Sequence, residues 1–186
     1  KSTNRISVPL VPELGTEWKE AASTHWEKAF PIQDFRKVDD WRSFNQKPAD
    51  YPSKVRVARD QTHLYFWFEG RGAPVPPEKG NPAFPARDRF EVLLKGGNKE
   101  YYLTVGPAGE TYTYPNLEVQ TTATAGSDVW YAQLAIPLKG VAGEEGVKAR
   151  VGRVYRMENG DREESSHNGY GIFNRHEPLW LNLQMQ

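Results

Sequence analysis

The 186-residue sequence contains no cysteine, and this absence excludes several classes of chemistry. Disulfide bonds, thiolate nucleophiles, zinc–thiolate sites and iron–sulfur clusters all require cysteine sulfur. No apolar run approaches the ~20 residues that a membrane-spanning helix needs. We therefore expect a protein without thiolate chemistry and without insertion into a membrane.

The sequence also lacks an excess of charge of either sign. Lysine plus arginine number 24 and aspartate plus glutamate number 24, which gives a formal net charge of zero. Long-range attraction to nucleic acid or to an anionic membrane surface needs a net positive charge. We therefore expect no nucleic-acid partner.

Aromatic residues, proline and glycine are plentiful, and their arrangement is typical of strands and loops. Aromatics make up 12% of the residues, beside 14 prolines and 16 glycines. The stretch SKVRVARDQTHLYFWFEG, residues 53–70, alternates apolar and polar positions on both sides of a turn at 59–62 and predicts a hairpin. Its second strand is apolar on both faces, so we expect it to be central in a sheet.

Further strands are predicted at short intervals to the end of the chain. No long helix, internal repeat or low-complexity tract interrupts them. About nine or more strands with little helix indicate an all-β fold, an antiparallel β-sandwich of the jelly-roll kind, in one domain over residues 1–186. The predicted strands include residues 6–11, 55–57, 64–68, 89–94, 101–105, 111–114, 129–136, 147–157 and 179–183.

Two stretches combine aromatic side chains with planar polar groups. A sugar ring has an apolar face that packs on an aromatic ring and a polar rim that hydrogen-bonds carboxylate, amide or guanidinium groups. The two stretches therefore predict a sugar site. PAFPARDRFE supplies Phe84, Asp88, Arg89 and Glu91, and HNGYGIFNRHEP supplies Tyr170, Phe173, Asn174 and His176.

The order and spacing of six segments from about residue 15 to the end of the chain resemble the family 9 carbohydrate-binding modules. No single segment is diagnostic, and the succession carries the likeness. The resemblance is strongest to family-9-like domains of bacteria that degrade polysaccharides. The segments are KVRVARDQTHLYFWFEG, RDRFEVLL, YYLTVGPAGETY, VWYAQLAIPL, VGRVYRMENG and FNRHEPLWLNLQ.

The resemblance implies a β-sandwich in which two aromatic side chains clamp a sugar ring between loops. Asp88 and Glu91 match the family's Asp-x-x-Glu pair. Phe84 and Phe173 lie near the two clamp positions, where the better-known family members have tryptophan, and Tyr102 lies near a polar contact on the next strand. Family members often carry structural calcium, which this chain offers only weak candidates to bind, at 39–40 and 159–161.

Structural roles remain open for three of these residues. Phe84 can anchor a loop in the core, Asp88 can cap the loop or pair with Arg89, and Glu91 can form an ion pair with Arg89. Trp130 and Trp180 are predicted core residues, as is Trp67.

Two other classes of function are weaker alternatives. Asp88 and Glu91 are three residues apart on one strand, so they point to opposite faces and cannot flank one glycosidic bond. The neighbours Tyr170, Arg175 and His176 contain the residue types of a polysaccharide lyase, without a recognisable motif. Haem ligation could draw on His167, His176, Met157 or Met185.

The sequence therefore predicts a non-catalytic carbohydrate-binding module that binds an oligo- or polysaccharide in an aromatic-lined groove. We expect it to need no cofactor, to be a monomer, and to act beside a catalytic domain or enzyme of the same system. The expected location is outside the bacterial cytoplasm: extracellular, periplasmic or on the cell surface.

Overall fold

The computed structural model describes residues 4–39, 47–77, 86–143 and 146–185, and strands dominate them. Helix is limited to a single α-helical turn, α1 (Leu14–Glu17), and two short 3₁₀ segments, Thr24–Lys28 and Glu177–Leu179. The described residues contain thirteen strands. In chain order they are β1 (Arg5–Val8), β2 (Phe30–Ile32), β3 (Arg36–Lys37), β4 (Ser53–Arg59), β5 (His63–Arg71), β6 (Asp88–Gly96), β7 (Lys99–Val105), β8 (Thr111–Tyr114), β9 (Gln120–Ala125), β10 (Val129–Pro137), β11 (Val147–Arg156), β12 (Arg162–Ser166) and β13 (Leu181–Met185).

The strands form two sheets. The larger sheet has eight strands. Six follow the order β1-β13-β11-β6-β7-β8, β12 also pairs with β11, and β3 pairs with β12. The smaller sheet has the order β2-β4-β5-β10-β9. All the ladders between these strands are antiparallel except that of β1 with β13, which is parallel. The predicted all-β sandwich is confirmed, and the parallel edge is an exception to the expected antiparallel pairing.

The main core lies between the two sheets and is formed by the side chains on their inner faces. Phe68 of the smaller sheet stacks on Phe90 of the larger sheet with ring centroids 4.7 Å apart, and Trp130 meets Phe68 edge-on at 4.7 Å. All three side chains are fully buried. Burial of an aromatic side chain contributes roughly 1.5–3 kcal/mol through the hydrophobic effect, so this aromatic centre holds the sheets together.

A second cluster explains why β5 is apolar on both faces. Its outward residues Tyr65 and Trp67 are buried beneath the N-terminal segment, which contributes Trp18 and Trp26. The indole nitrogen of Trp67 donates a hydrogen bond to the Ala21 carbonyl at 2.9 Å. The prediction of a central strand is confirmed, because β5 lies between β4 and β10.

A third, smaller cluster covers part of the outer face of the larger sheet. Leu93 of β6 packs with Ile172 and Trp180, which belong to the segment between β12 and β13. This segment, residues 167–180, is called the cover segment below. It places one of the two stretches singled out in the sequence directly over the strand that carries the other.

Candidate functional site

The outer face of β6 carries the polar residues that open the candidate site. Phe90 and Val92 point into the core, and Arg89, Glu91 and Leu93 alternate with them on the outer face because successive strand residues point to opposite sides. The predicted alternation at this strand is confirmed. β11 and β7 flank β6, so the site lies in the interior of the larger sheet, where ladders on both sides fix its backbone.

Glu91 is a buried carboxyl group held by one guanidinium. Its Oε1 accepts a hydrogen bond from Arg89 Nε at 3.1 Å, and Arg89 also donates to the Ala86 carbonyl at 3.0 Å. Glu91 is only 3% exposed. Burial raises the pKa of Glu91 to about 7, against the opposing effect of Arg89, and nearby Glu164 raises it further. A carboxyl group whose pKa is near 7 is partly protonated at neutral pH. It can therefore accept a hydrogen bond from a hydroxyl group or donate one to it.

Aromatic rings lie immediately beside this carboxyl group. Tyr102 is on β7, and its pKa is raised by burial and by the charge of Glu91. The Tyr102 ring meets Phe173 of the cover segment, with centroids 5.1 Å apart, and Tyr112 of β8 at 6.1 Å. Phe173 is 49% exposed although it is a large apolar side chain. The site therefore exposes the aromatic surface of Phe173 to solvent, and Tyr102 lies between that surface and the largely buried Arg89–Glu91 pair.

Arg150 fixes the position of the cover segment. Its guanidinium is fully buried and donates to the Asn174 carbonyl at 2.6 Å, to the Tyr170 carbonyl at 3.1 Å and to Asn168 Oδ1 at 3.2 Å. Burial lowers the pKa of Arg150 to about 10. Three acceptors from one short stretch converge on a single charged group, so the loop that presents Phe173 is held before any ligand arrives.

We expect Arg150→Met to lower the free energy of unfolding by about 2 kcal/mol. The change removes charge-assisted hydrogen bonds worth roughly 1.5–3 kcal/mol each, and relief from burying the charge offsets part of that loss. Urea unfolding measures the effect, and hydrogen exchange should locate it at residues 168–176.

The matched control is Arg175→Met in the same segment. Arg175 is an exposed arginine whose Nε pairs with Glu100 at 2.7 Å, and exposed ion pairs contribute roughly 0–1 kcal/mol. Equal losses from the two variants would contradict the role assigned to Arg150.

Asp88 lies on the opposite face of β6 and does not join this site. It is fully buried at the end of the core, where its two carboxylate oxygens accept hydrogen bonds from Arg153 Nε and Nη2, both at 3.1 Å. Burial raises the pKa of Asp88, and the contact with Arg153 acts in the opposite direction. Arg153 also donates to the Arg71 carbonyl of the smaller sheet. The pair links the two sheets, and the candidate site does not include Asp88.

Only some of the predicted site residues lie together in the structure. Arg89, Glu91, Tyr102 and Phe173 come together, whereas Phe84 lies outside the described residues. Tyr170 and Asn174 present backbone carbonyls to Arg150, and Asn174 Oδ1 accepts from the His176 backbone at 3.2 Å. His176 is exposed at the rim.

Sequence reasoning missed three residues near the site. Arg150, Tyr112 and Glu164 were not among the predicted site residues. Arg150 carried a usable signal, since it is a cation flanked by the apolar residues Ala149 and Val151 within a predicted strand. Tyr112 and Glu164 carried none, because their proximity to Glu91 and Tyr102 depends on which strands pair.

The described residues hold no group of three or more His, Asp or Glu side chains suited to a metal ion. At the turn suggested for calcium, Asp161 N donates to Asn159 Oδ1 at 2.9 Å, and the Asn159 amide donates to Asp161 Oδ2 at 3.1 Å. The other suggested position includes Asp40, which lies outside the described residues. No helix in the described ranges is long and apolar enough to cross a membrane.

Comparison with solved structures identifies the fold, whereas comparison of sequences does not. No protein-family model matches the sequence, and no curated protein matches it. A family 9 carbohydrate-binding module from Caldicellulosiruptor kristjanssonii in complex with glucose superposes with a TM-score of 0.72 at 11% identity, over 98% of this chain and 95% of that one. A module of that family from the same organism, in complex with cellotriose, gives 0.64 at 13% identity over 97% and 91%.

A protein from Bacteroides uniformis ATCC 8492, provisionally named as carbohydrate-binding, is similar over the whole fold. Its TM-score is 0.68 at 14% identity, over 98% of this chain and 99% of that one. The chain therefore has the fold of the family 9 carbohydrate-binding modules. The resemblance noted in the sequence is confirmed at the level of the fold, and function has to be argued from the site itself.

Proposed function

We propose that this protein is a non-catalytic carbohydrate-binding module that holds a sugar on the outer face of its larger sheet. One observation carries the proposal: the half-exposed ring of Phe173 lies against Tyr102, and Tyr102 in turn lies beside the Arg89–Glu91 pair. An aromatic face suits the apolar face of a sugar ring, and the guanidinium of Arg89, the more exposed member of the ion pair, suits its hydroxyl rim.

The similar folds support the same function. Two of the structures with this fold contain cellotriose or glucose. A neutral sugar also suits the local charges. Three guanidinium groups near the site have a carboxylate partner: Arg89 with Glu91, Arg162 with Glu164, and Arg175 with Glu100. The fourth, Arg150, is fully buried against oxygen atoms of the cover segment.

The arrangement of carboxyl groups supports binding without catalysis. Glycoside hydrolysis needs two carboxyl groups on either side of one bond. Asp88 and Glu91, the pair considered from the sequence, face opposite sides of β6, and Asp88 is fully buried against Arg153. The proposed role is to hold an associated enzyme or a bacterial cell surface against a polysaccharide, outside the cytoplasm.

We expect Phe173→Ala to weaken sugar binding by about 1–3 kcal/mol, through loss of stacking and apolar contact. The experiment is a glycan array followed by calorimetry on each sugar that binds, with glucose and cellotriose included as probes. Because Phe173 is half exposed, its removal should change the free energy of unfolding by less than about 1 kcal/mol.

Phe30→Ala is the matched control. Phe30 is 37% exposed on β2 of the smaller sheet, far in the topology from the candidate site. Its removal should leave sugar affinity unchanged. Failure of the wild-type protein to bind any sugar on the array would contradict the proposed function, and an equal loss of affinity in both variants would contradict the proposed site.

A further inference from the structure

Exposed aromatic side chains are concentrated around Tyr102. Among the described residues, four large hydrophobic side chains are exposed: Leu10, Phe30, Phe173 and Tyr114. Phe173 contacts the Tyr102 ring, and Tyr114 is the direct cross-strand partner of Tyr102 in the β7–β8 ladder. Two of the four therefore flank one tyrosine of the candidate site.

Tyr114 is on the same face of the sheet as the candidate site. Directly opposed residues of an antiparallel pair point to the same side, with Cβ atoms roughly 5 Å apart. Tyr112, two residues earlier on β8, shares this face, and its ring is 6.1 Å from that of Tyr102. Phe173, Tyr102, Tyr112 and Tyr114 thus form an aromatic strip that runs from the Glu91 carboxyl group to β8, the edge of the sheet.

Core packing does not account for Tyr114. It is 68% exposed, the largest exposed fraction of the four. Within the described ranges, its hydroxyl makes no hydrogen bond and its ring meets no other ring. An edge strand presents unpaired backbone groups beside such a side chain, and these groups can hydrogen-bond a polar ligand.

We propose that Tyr114 is the platform for a further sugar unit, so that the ligand is an oligosaccharide lying along the aromatic strip. The inference rests on the proposed function, because it extends the site formed by Phe173, Tyr102 and Glu91. Tyr102 and Tyr114 are directly opposed in the ladder, and the Cβ atoms of such a pair are roughly 5 Å apart, a step comparable with the length of one sugar unit. A single sugar covers Phe173 and Tyr102, and a longer chain reaches Tyr114.

The test is calorimetry of wild type, Tyr114→Ala and Tyr114→Phe with matched mono- and trisaccharides. The probes are glucose and cellotriose, xylose and xylotriose, and mannose and mannotriose. We expect wild type to bind a trisaccharide more tightly than its monosaccharide. Tyr114→Ala should raise the Kd for that trisaccharide about tenfold, as loss of one stacking contact predicts, and leave the Kd for the monosaccharide within about twofold.

Tyr114→Phe keeps the ring and should retain the affinity of wild type for both probes. Thermal unfolding of each variant checks that the fold is intact, since Tyr114 is exposed. Equal affinity of wild type for mono- and trisaccharide, or an equal effect of Tyr114→Ala on both, overturns this inference and leaves the proposed function standing. If wild type binds none of the six probes, both the proposed function and this inference fail for neutral sugars.

Discussion

We expect Asp88→Ala to lower the free energy of unfolding by about 3–5 kcal/mol, the cost of leaving a buried charge without its partner. The group left behind is Arg153, whose side chain is 1% exposed and lies over the Tyr155 ring at 4.3 Å. The change also releases a contact that joins the sheets, since Arg153 donates to the Arg71 carbonyl. Urea unfolding, monitored by the fluorescence of the buried tryptophans, measures the loss.

The double variant Asp88→Ala/Arg153→Met separates the charge from the packing. Removal of both partners leaves no uncompensated ion, so the double variant should be more stable than Asp88→Ala alone. Glu100→Ala is a control at an exposed pair, where we expect a loss below about 1 kcal/mol. Asp88→Ala should also leave the affinity for sugar unchanged wherever the protein is folded. A stable Asp88→Ala protein with weakened sugar binding would contradict the structural role.

The second large effect concerns the pH dependence of stability, to which Glu91 and His167 contribute with opposite signs. Burial raises the pKa of Glu91 from 4.5 to about 7. Between these values the folded protein holds a proton that the unfolded chain has released. The contribution of Glu91 to stability is therefore full below pH 4.5 and is lost as the pH rises through 7.

His167 acts in the other direction. Burial and the nearby charge of Arg150 lower the pKa of His167 from 6.5 to about 4. The Val151 and Leu179 carbonyls, 3.1 Å and 3.3 Å from its ring nitrogens, favour the protonated ring, but burial outweighs them. The contribution of neutral His167 is present above pH 6.5 and is lost as the pH falls through 4.

Between pH 4.5 and 6.5 the contribution of Glu91 to the free energy of unfolding falls with pH and that of His167 rises. We expect these two changes to cancel in large part in the wild-type protein. Each of these pKa changes is equivalent to about 3 kcal/mol, and the partial solvent exposure of the His167 side chain reduces its share. In Glu91→Gln only the contribution of His167 remains, so the free energy of unfolding of this variant should rise with pH across this window. In His167→Gln only the contribution of Glu91 remains, so the free energy of unfolding of this variant should fall as the pH rises.

Denaturant unfolding at half-unit intervals from pH 4.5 to 7.5 measures these slopes. The comparison is between variants, so a constant loss of stability in either variant does not affect it. Glu164 and Arg162 also face Glu91, and they are unchanged in all three proteins. Parallel pH curves for wild type and both variants would contradict the assignment.

The alternation of residues determined much of the fold from the sequence alone. Strand residues point to opposite faces with a period of two, so Phe90 and Val92 were predicted inside and Arg89 and Glu91 outside. The hairpin of β4 and β5 and the central position of β5 followed from the same pattern, because a strand apolar on both faces must be covered on both.

Strands without apolar alternation escaped prediction. β9 has the sequence QTTATA, and β12 has REESS. Both are strands because their backbone groups form hydrogen bonds with the neighbouring strands β10 and β11. The local sequence does not show which strands will be neighbours. The parallel pairing of β1 with β13 is of the same kind, since it joins opposite ends of the chain.

The candidate site was likewise determined in two stages. The assignment of Arg89 and Glu91 to one face of β6 followed from residue alternation, because alternation is a local property of the backbone. Tertiary structure alone decided that Arg153, 65 residues away, neutralises Asp88, and that Arg150 holds the loop that brings Phe173 to Tyr102. These contacts depend on β6 lying between β11 and β7. Strand order is settled by the packing of the whole core, and no local pattern encodes it.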